Sequence, residues 1–345
     1  MLPLSYGSMI YKSNMNFHSL IIKNSFLGFL FSSSNQNIFV SKSLFVNHLD
    51  SCIRISEYFR DFSSSNTVSI KATKFENCQS LSSAGGALYC YNLNNNASIS
   101  CCTFIKCSCS SSMSNPIRND YAGGSIAYVG KSICMQMLSF ESSSAFNAYG
   151  KCFGGYAINW VMSMITCLAS YGTGGEISIA GSGVDATSLN SSYNSISQHA
   201  GFTISYGNPS LSLSYYHFAN SGGAWCHHYN INDMNSLTKS CNFINITQSD
   251  SFLDLISGGG IIDECYFSFI GNSIFSSRTI SSYILTKCNF IVNSIVNPCN
   301  SCSFNVLTQN SIIIHLDCFQ DSKKSLVLPL MNMLFSFHVI TLNNY

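Results

Sequence analysis

Asp250, Asp254, Asp263 and Glu264 form the densest carboxylate group in a chain with only fifteen Asp and Glu. Two carboxylates held in a cleft with separated pKa values can act as general acid and base, and a set of them can hold calcium. The stretch "WCHHYNIND" at 225–233 offers His227, His228 and Asp233 as metal ligands. Adjacent histidines on a strand point to opposite faces, so the pattern favours surface or loop histidines over a shared ion. "CCTFIKCSC" at 101–109 and "CNSC" at 299–302 have zinc-like cysteine spacing. A zinc site needs paired C-x₂-C units a fixed distance apart, and these groups fall inside a repeat instead. No ordered Ser-His-Asp set emerges among so many serines, and no pairing of a cysteine with a base that would make it a thiolate can be read from the sequence. The reading is therefore no catalytic residue, no metal and no cofactor, with the binding residues left unassigned.

The repeat must position whatever chemistry there is. Gly-Gly followed by a short apolar run recurs at "SAGGALYC" 83–90, "AGGSIAYVG" 122–130, "FGGYAINW" 153–160, "TGGEISIAG" 173–181, "SGGAWCHH" 221–228 and "SGGGIIDE" 257–264. A second motif, Cys-x-Phe, stands at 102–104, 241–243, 265–267, 288–290 and 302–304, with "TKF" at 73–75 and "YHF" at 216–218 as variants. Phe218, Phe243, Phe267 and Phe290 follow one another at intervals of 25, 24 and 23 residues. Segments such as "SIKATKF", "SISCCTF" and "EISIAG" alternate small or apolar residues with polar ones, the pattern of a strand with one buried face. Helical repeats need about 33 residues and a 3.6-residue stripe, and leucine-rich repeats need an L-x-x-L-x-L frame; neither is present.

These features predict an all-β protein, a right-handed parallel β-helix of about 10–12 coils spanning 23–310. Residues 1–22 are expected to be an irregular N-terminal segment or cap. Residues 311–345 are expected to be an apolar C-terminal cap strand, with a vestigial membrane anchor through 325–342 as the alternative. The glycine pairs are expected at sharp corners that stack rung on rung. Cys241, Cys265 and Cys288 are expected to stack inward as reduced thiols, because in-register Cβ atoms about 4.8 Å apart exceed the reach of a disulfide. The same alignment sets Asp263 beside Lys239 and Glu264 beside Lys287, which reads as charge pairing across rungs.

Composition narrows the function further. Charged residues are 9% of the chain, against about 25% in ordinary globular proteins, and the net charge is +1. Such a chain has no basic face for nucleic acid. Its 46% hydrophobic content is too high for a disordered tail. The start shows no convincing secretory signal, since Lys12, Asn14, Lys23 and Asn24 interrupt its apolar content. Three N-x-[ST] sequons stand at Asn96, Asn190 and Asn245, and they matter only if the chain is exported.

"GGAL" at 85–88, "GGSI" at 123–126, "GGAW" at 222–225 and "FIVN" at 290–293 resemble the repeats of chlamydial polymorphic outer membrane proteins. They also resemble those of cysteine-rich surface proteins of parasitic protists, to which this chain is nearer. "FENC" at 75–78 and "FIKC" at 104–107 depart by ending in Cys. The resemblance covers roughly residues 60–310. It implies a β-helix displayed outside a cell or at its surface, adhering to an extracellular protein or glycan. The alternative is a pectate-lyase-like β-helix that binds or cleaves polysaccharide.

Overall fold

A short strand with one apolar face buries that face most simply by stacking on copies of itself. The computed structural model has this architecture: parallel strands stacked as a β-solenoid, with no helix among the described residues. The structure describes residues 14–26, 29–31, 37–56, 66–81, 84–110, 123–146, 150–168, 171–172, 175–196, 201–204, 210–230, 236–270, 275–277, 281–291 and 303–306.

Three long ladders run along the molecule. In the first, Met15 pairs with Ile38, and the partners continue through Val68, Ala97, Ile133, Trp160, Val184, Leu211, Ser236, Gly260, Tyr283 and Phe304. These twelve residues follow one another in register along the ladder. The second carries Ile22, Phe45, Phe75, Phe104, Phe140, Cys167, Ser191, Phe218, Phe243, Phe267 and Phe290. The third begins Phe29, Ile53, Leu88, Ile126, Phe153, Ile177, Phe202. A short fourth strip links Ser108, Ser144, Tyr171 and Ser195. Coil length varies from the 23 residues between Asn14 and Asn37 to the 36 between Asn96 and Ser132, because loops between strands absorb insertions. The first rung, Met15–His18, lies inside the segment expected to be an irregular cap. Residues 311–345, with the apolar stretch 325–342, lie outside the described residues.

The second ladder forms the axis of the core. Phe45, Phe75, Phe104 and Phe140 stack face to face at 5.1, 5.1 and 4.7 Å between centroids. Where the column changes to Cys167 and Ser191, the volume comes from other strands: Phe153 lies 5.6 Å from Phe140 and 6.3 Å from Trp160. The buried Trp160 Nε1 donates to the Ala180 carbonyl at 3.0 Å.

The corners differ from the expectation. Among the described residues, nineteen non-glycine residues have φ between 48° and 59°, and they fall into two columns. One joins the first ladder to the second and includes Lys42, Ala72, Cys101, Ser240, Glu264 and Lys287. The other follows the second ladder and includes Asn24, Asn47, Asn77, Asn220 and Asn245. Left-handed backbone is unfavourable for residues with a Cβ. Here the corner N–H groups are satisfied by the next rung: Lys42 donates to Lys71 O at 3.0 Å, Ala72 to Ser100 O at 2.9 Å and Glu264 to Thr286 O at 2.9 Å.

The glycine pairs serve close approach rather than these corners, and they do not share one column. Gly85 and Gly86 donate to the carbonyls of Gly123 and Gly124, and Gly123 bridges to Gly150, which pairs with Gly175. A Cβ on Gly124 would run into the backbone carbonyls of Ser144 and Lys151. By contrast, Gly154 pairs with Ala127 in the third ladder, Gly222 with Ser195 in the fourth strip, and Gly260 with Ser236 in the first. A dipeptide marks where backbones crowd, and crowding occurs at more than one place per coil.

Candidate functional site

At many of the left-handed corners the residue that follows supplies a side-chain donor that reaches back across the corner. After the first corner column, Ser43 Oγ donates to Ser41 O at 2.9 Å, Thr73 Oγ1 to Lys71 O at 3.0 Å, and Cys102 Sγ to Ser100 O at 3.1 Å. Cys241, Cys265 and Cys288 repeat the contact to Lys239 O, Asp263 O and Thr286 O at 3.2, 3.3 and 3.4 Å. The second column uses the same device: Cys78 to Glu76 O, Cys107 to Ile105 O and Ser221 to Ala219 O. Each bond reaches back two residues across the corner. The thiols are thus donors as well as fillers, a role that sequence reasoning missed. The signal was present, since Ser43 and Thr73 occupy the same place as the cysteines.

Thirteen cysteines among the described residues are free thiols. Cys241, Cys265 and Cys288 are buried on successive rungs, as the repeat predicted. Burial pushes the Cys102 and Cys109 thiols up to about 12 and raises Cys52, Cys107 and Cys265 as well. Such thiols are poor nucleophiles and poor metal ligands at neutral pH. Cys265→Ser is expected to remain within about 1 kcal/mol of the parent protein in denaturant unfolding, because a hydroxyl already fills this place twice. Cys265→Ala should lose about 1–2 kcal/mol. Equal losses in both variants would contradict the donor role.

Above this thiol column lie the carboxylates. Lys239 pairs in register with Asp263, and their charges approach to 3.6 Å. Lys287 Nζ donates to Glu264 Oε1 at 3.2 Å, and Lys239 lies 3.9 Å from Glu264. Hydroxyls complete the set: Thr286 Oγ1 donates to Asp263 Oδ1 at 2.6 Å and Ser240 Oγ to Glu264 Oε2 at 3.2 Å. All four carboxylate oxygens therefore have a partner on a neighbouring rung, in the pairing read from the repeat. Asp254 is elsewhere, pairing with His228 and Ser276 in the third ladder, so the sequence cluster is not a spatial one. Asp250 lies in the same strand, Asn242–Asp263, outside the first-ladder segment that carries Asp263.

The remaining candidates are also separated. His227 and His228 are consecutive in the strand His217–Asn230 and pair with Leu253 and Asp254. Asp233 and Cys299 to Cys302 lie outside the described residues. Cys101 sits on a corner, whereas Cys102, Cys107 and Cys109 are buried at three different places. No group of three metal-ligating side chains forms among the described residues. "CSF" at 302–304 is not a further copy of the Cys-x-Phe step: Phe304 pairs with Tyr283 in the first ladder, not with Phe290.

A column of amides was not anticipated. Asn47 Nδ2 donates to Asn24 Oδ1 at 2.9 Å, Asn77 Nδ2 to Asn47 Oδ1 at 3.1 Å, and Asn245 Nδ2 to Asn220 Oδ1 at 2.7 Å. All lie on the second corner column. The readable form is Phe-x-Asn, one residue shorter than the Phe-x-x-Asn of the resemblance.

No family model, curated protein or solved structure matches the chain. The fold and these columns define its class as a parallel β-solenoid.

Proposed function

We propose that this chain is a non-enzymatic surface β-solenoid that adheres to an extracellular protein or glycan. The observation carrying the proposal is the engagement of Asp263 and Glu264 by Lys239, Lys287, Thr286 and Ser240, which leaves this cluster holding rungs together. Its outward column on the first ladder is largely neutral: Ser69, Ser98, Cys134, Val161, Asp185 and Ser212 succeed one another in register. The hydroxyls of Ser69 and Ser98 on adjacent rungs, and of Ser212 further along, offer donors and acceptors to sugar or peptide groups. The resemblance to exported adhesive repeats supports the same reading.

The test is to apply the purified chain to pectin, chitin, mucin glycans and matrix proteins, measuring binding and product release together. Saturable binding without product, retained in the Asp263→Asn/Glu264→Gln double variant, is the expected result. The double substitution should lower stability by about a kcal/mol or less, the usual worth of exposed cross-strand pairs. Product release abolished by the double substitution would establish the polysaccharide-cleaving alternative instead.

A further inference from the structure

We infer that Asn245 is the N-glycan acceptor of this chain, an inference that rests on the proposed export. Three sequons are present, and the fold treats them differently. Asn245 occupies the second corner column, exposed and with φ of 50°, and its sequon partner Thr247 is exposed too. Thr247 pairs with Gly222, so the preceding rung presents no side chain beside the acceptor hydroxyl. Of the corner asparagines Asn24, Asn47, Asn77, Asn220 and Asn245, only Asn245 has Ser or Thr two residues later.

The other two sequons lie within strands. Asn96 is half-buried between Thr67 and Ser132, and its Oδ1 accepts from Ser132 Oγ at 2.7 Å. Asn190 is half-buried between Thr166 and His217. Its sequon hydroxyl, Ser192 Oγ, is buried and donates back to Asn190 Oδ1 at 3.2 Å. A glycan at either must emerge between rungs about 4.8 Å apart, so glycosylated chains would stack poorly and be lost from the folded pool.

The chemistry is compatible with the corner. The donor is an oligosaccharide on a lipid diphosphate. The Asn245 Nδ2–C1 bond forms as the bond from C1 to the diphosphate oxygen breaks. The bonding electrons leave with the lipid diphosphate, and one Nδ2 proton passes to a base of the transferring enzyme. The second Nδ2 proton remains, so the 2.7 Å bond to Asn220 Oδ1 survives modification.

The experiment expresses the full chain behind a cleavable leader in a eukaryotic secretory line. Glycopeptides of the secreted protein are mapped after enzymatic deglycosylation in heavy-oxygen water. Asn245 should be the dominant labelled site, with Asn96 and Asn190 labelled at least tenfold less. Thr247→Ala should abolish the glycan while leaving the corner asparagine in place, and Thr247→Ser should restore it. Secreted protein unlabelled at Asn245, or labelled equally at Asn96 or Asn190, would overturn the inference. Because the leader is supplied, this outcome is independent of the binding test above: a glycan at Asn245 without any adhesion would remove the adhesive reading and leave the acceptor site standing.

Discussion

Replacing Phe104 with alanine is expected to destabilise the protein by about 3–5 kcal/mol, the cost of emptying a large buried aromatic site. Phe104 is fully buried between Phe75 and Phe140, with centroid distances of 5.1 and 4.7 Å and interplanar angles of 4° and 10°. The substitution removes both stacking contacts, each worth about 0.5–1.5 kcal/mol beyond burial. The cavity cannot close by sliding the rungs together, because backbone hydrogen bonds on both sides fix their spacing. Each rung contacts chiefly its neighbours, so the damage should spread to the adjacent coils before it reaches the ends. Denaturant unfolding followed by fluorescence, with hydrogen exchange to locate the loss, measures both. Phe104→Leu should cost much less. A loss under about 1 kcal/mol for Phe104→Ala would mean that the aromatic column is not the core.

The second large effect concerns alkaline pH. Burial raises Cys102 and Cys109 from an ordinary 9.0 to about 12, so the folded state holds their protons more tightly than the unfolded state. Below pH 9 both states are neutral at these sites and stability is unaffected. Between pH 9 and 12 the unfolded chain ionises while the folded chain does not, and stability falls as pH rises, by about 1.4 kcal/mol per pH unit for each thiol. Over that window the two thiols together remove several kcal/mol, a substantial share of the stability of many domains. Cys52, Cys107 and Cys265 shift in the same direction. Unfolding measured under reductant should therefore show little change up to about pH 9 and a steep fall beyond it, with a shallower slope in Cys102→Ser. Stability unchanged to pH 11 would contradict the buried thiol columns.

The strand period and the pairing of Lys239 with Asp263 were legible in the sequence because each depends on residues that recur at the same place in successive coils. The corners were not. Left-handed residues here include Lys42, Ala72 and Tyr215, which carry no local turn signal; their N–H groups are held by hydrogen bonds to the next rung. Register also failed where composition changed. Cys167 and Ser191 continue the phenylalanine column, but the volume is restored by Phe153 and Trp160 from other strands, which no local motif reports. "CSF" at 302–304 repeats the letters of the motif in a different ladder, because sequence similarity constrains residue type and not rung position. The amide column was legible only in part, since Asn24, Asn47 and Asn77 are spaced by the variable coil length.

The neutralised carboxylates, the thiol donors and the exposed Asn245 corner all depend on one register. Phe39 and Ile284 are exposed on the outward column of the first ladder. Their partners run through Ser69, Ser98, Cys134, Val161, Asp185, Ser212, Leu237 and Ile261. Nitroxides attached through non-natural residues at 39 and 161, 39 and 237, and 39 and 284 give the direct measurement by pulsed electron resonance. Stacking predicts separations that grow in proportion to four, seven and nine rungs, about 19, 34 and 43 Å at 4.8 Å per rung. Distances that fail to increase along this series would contradict the continuous solenoid and everything placed on it.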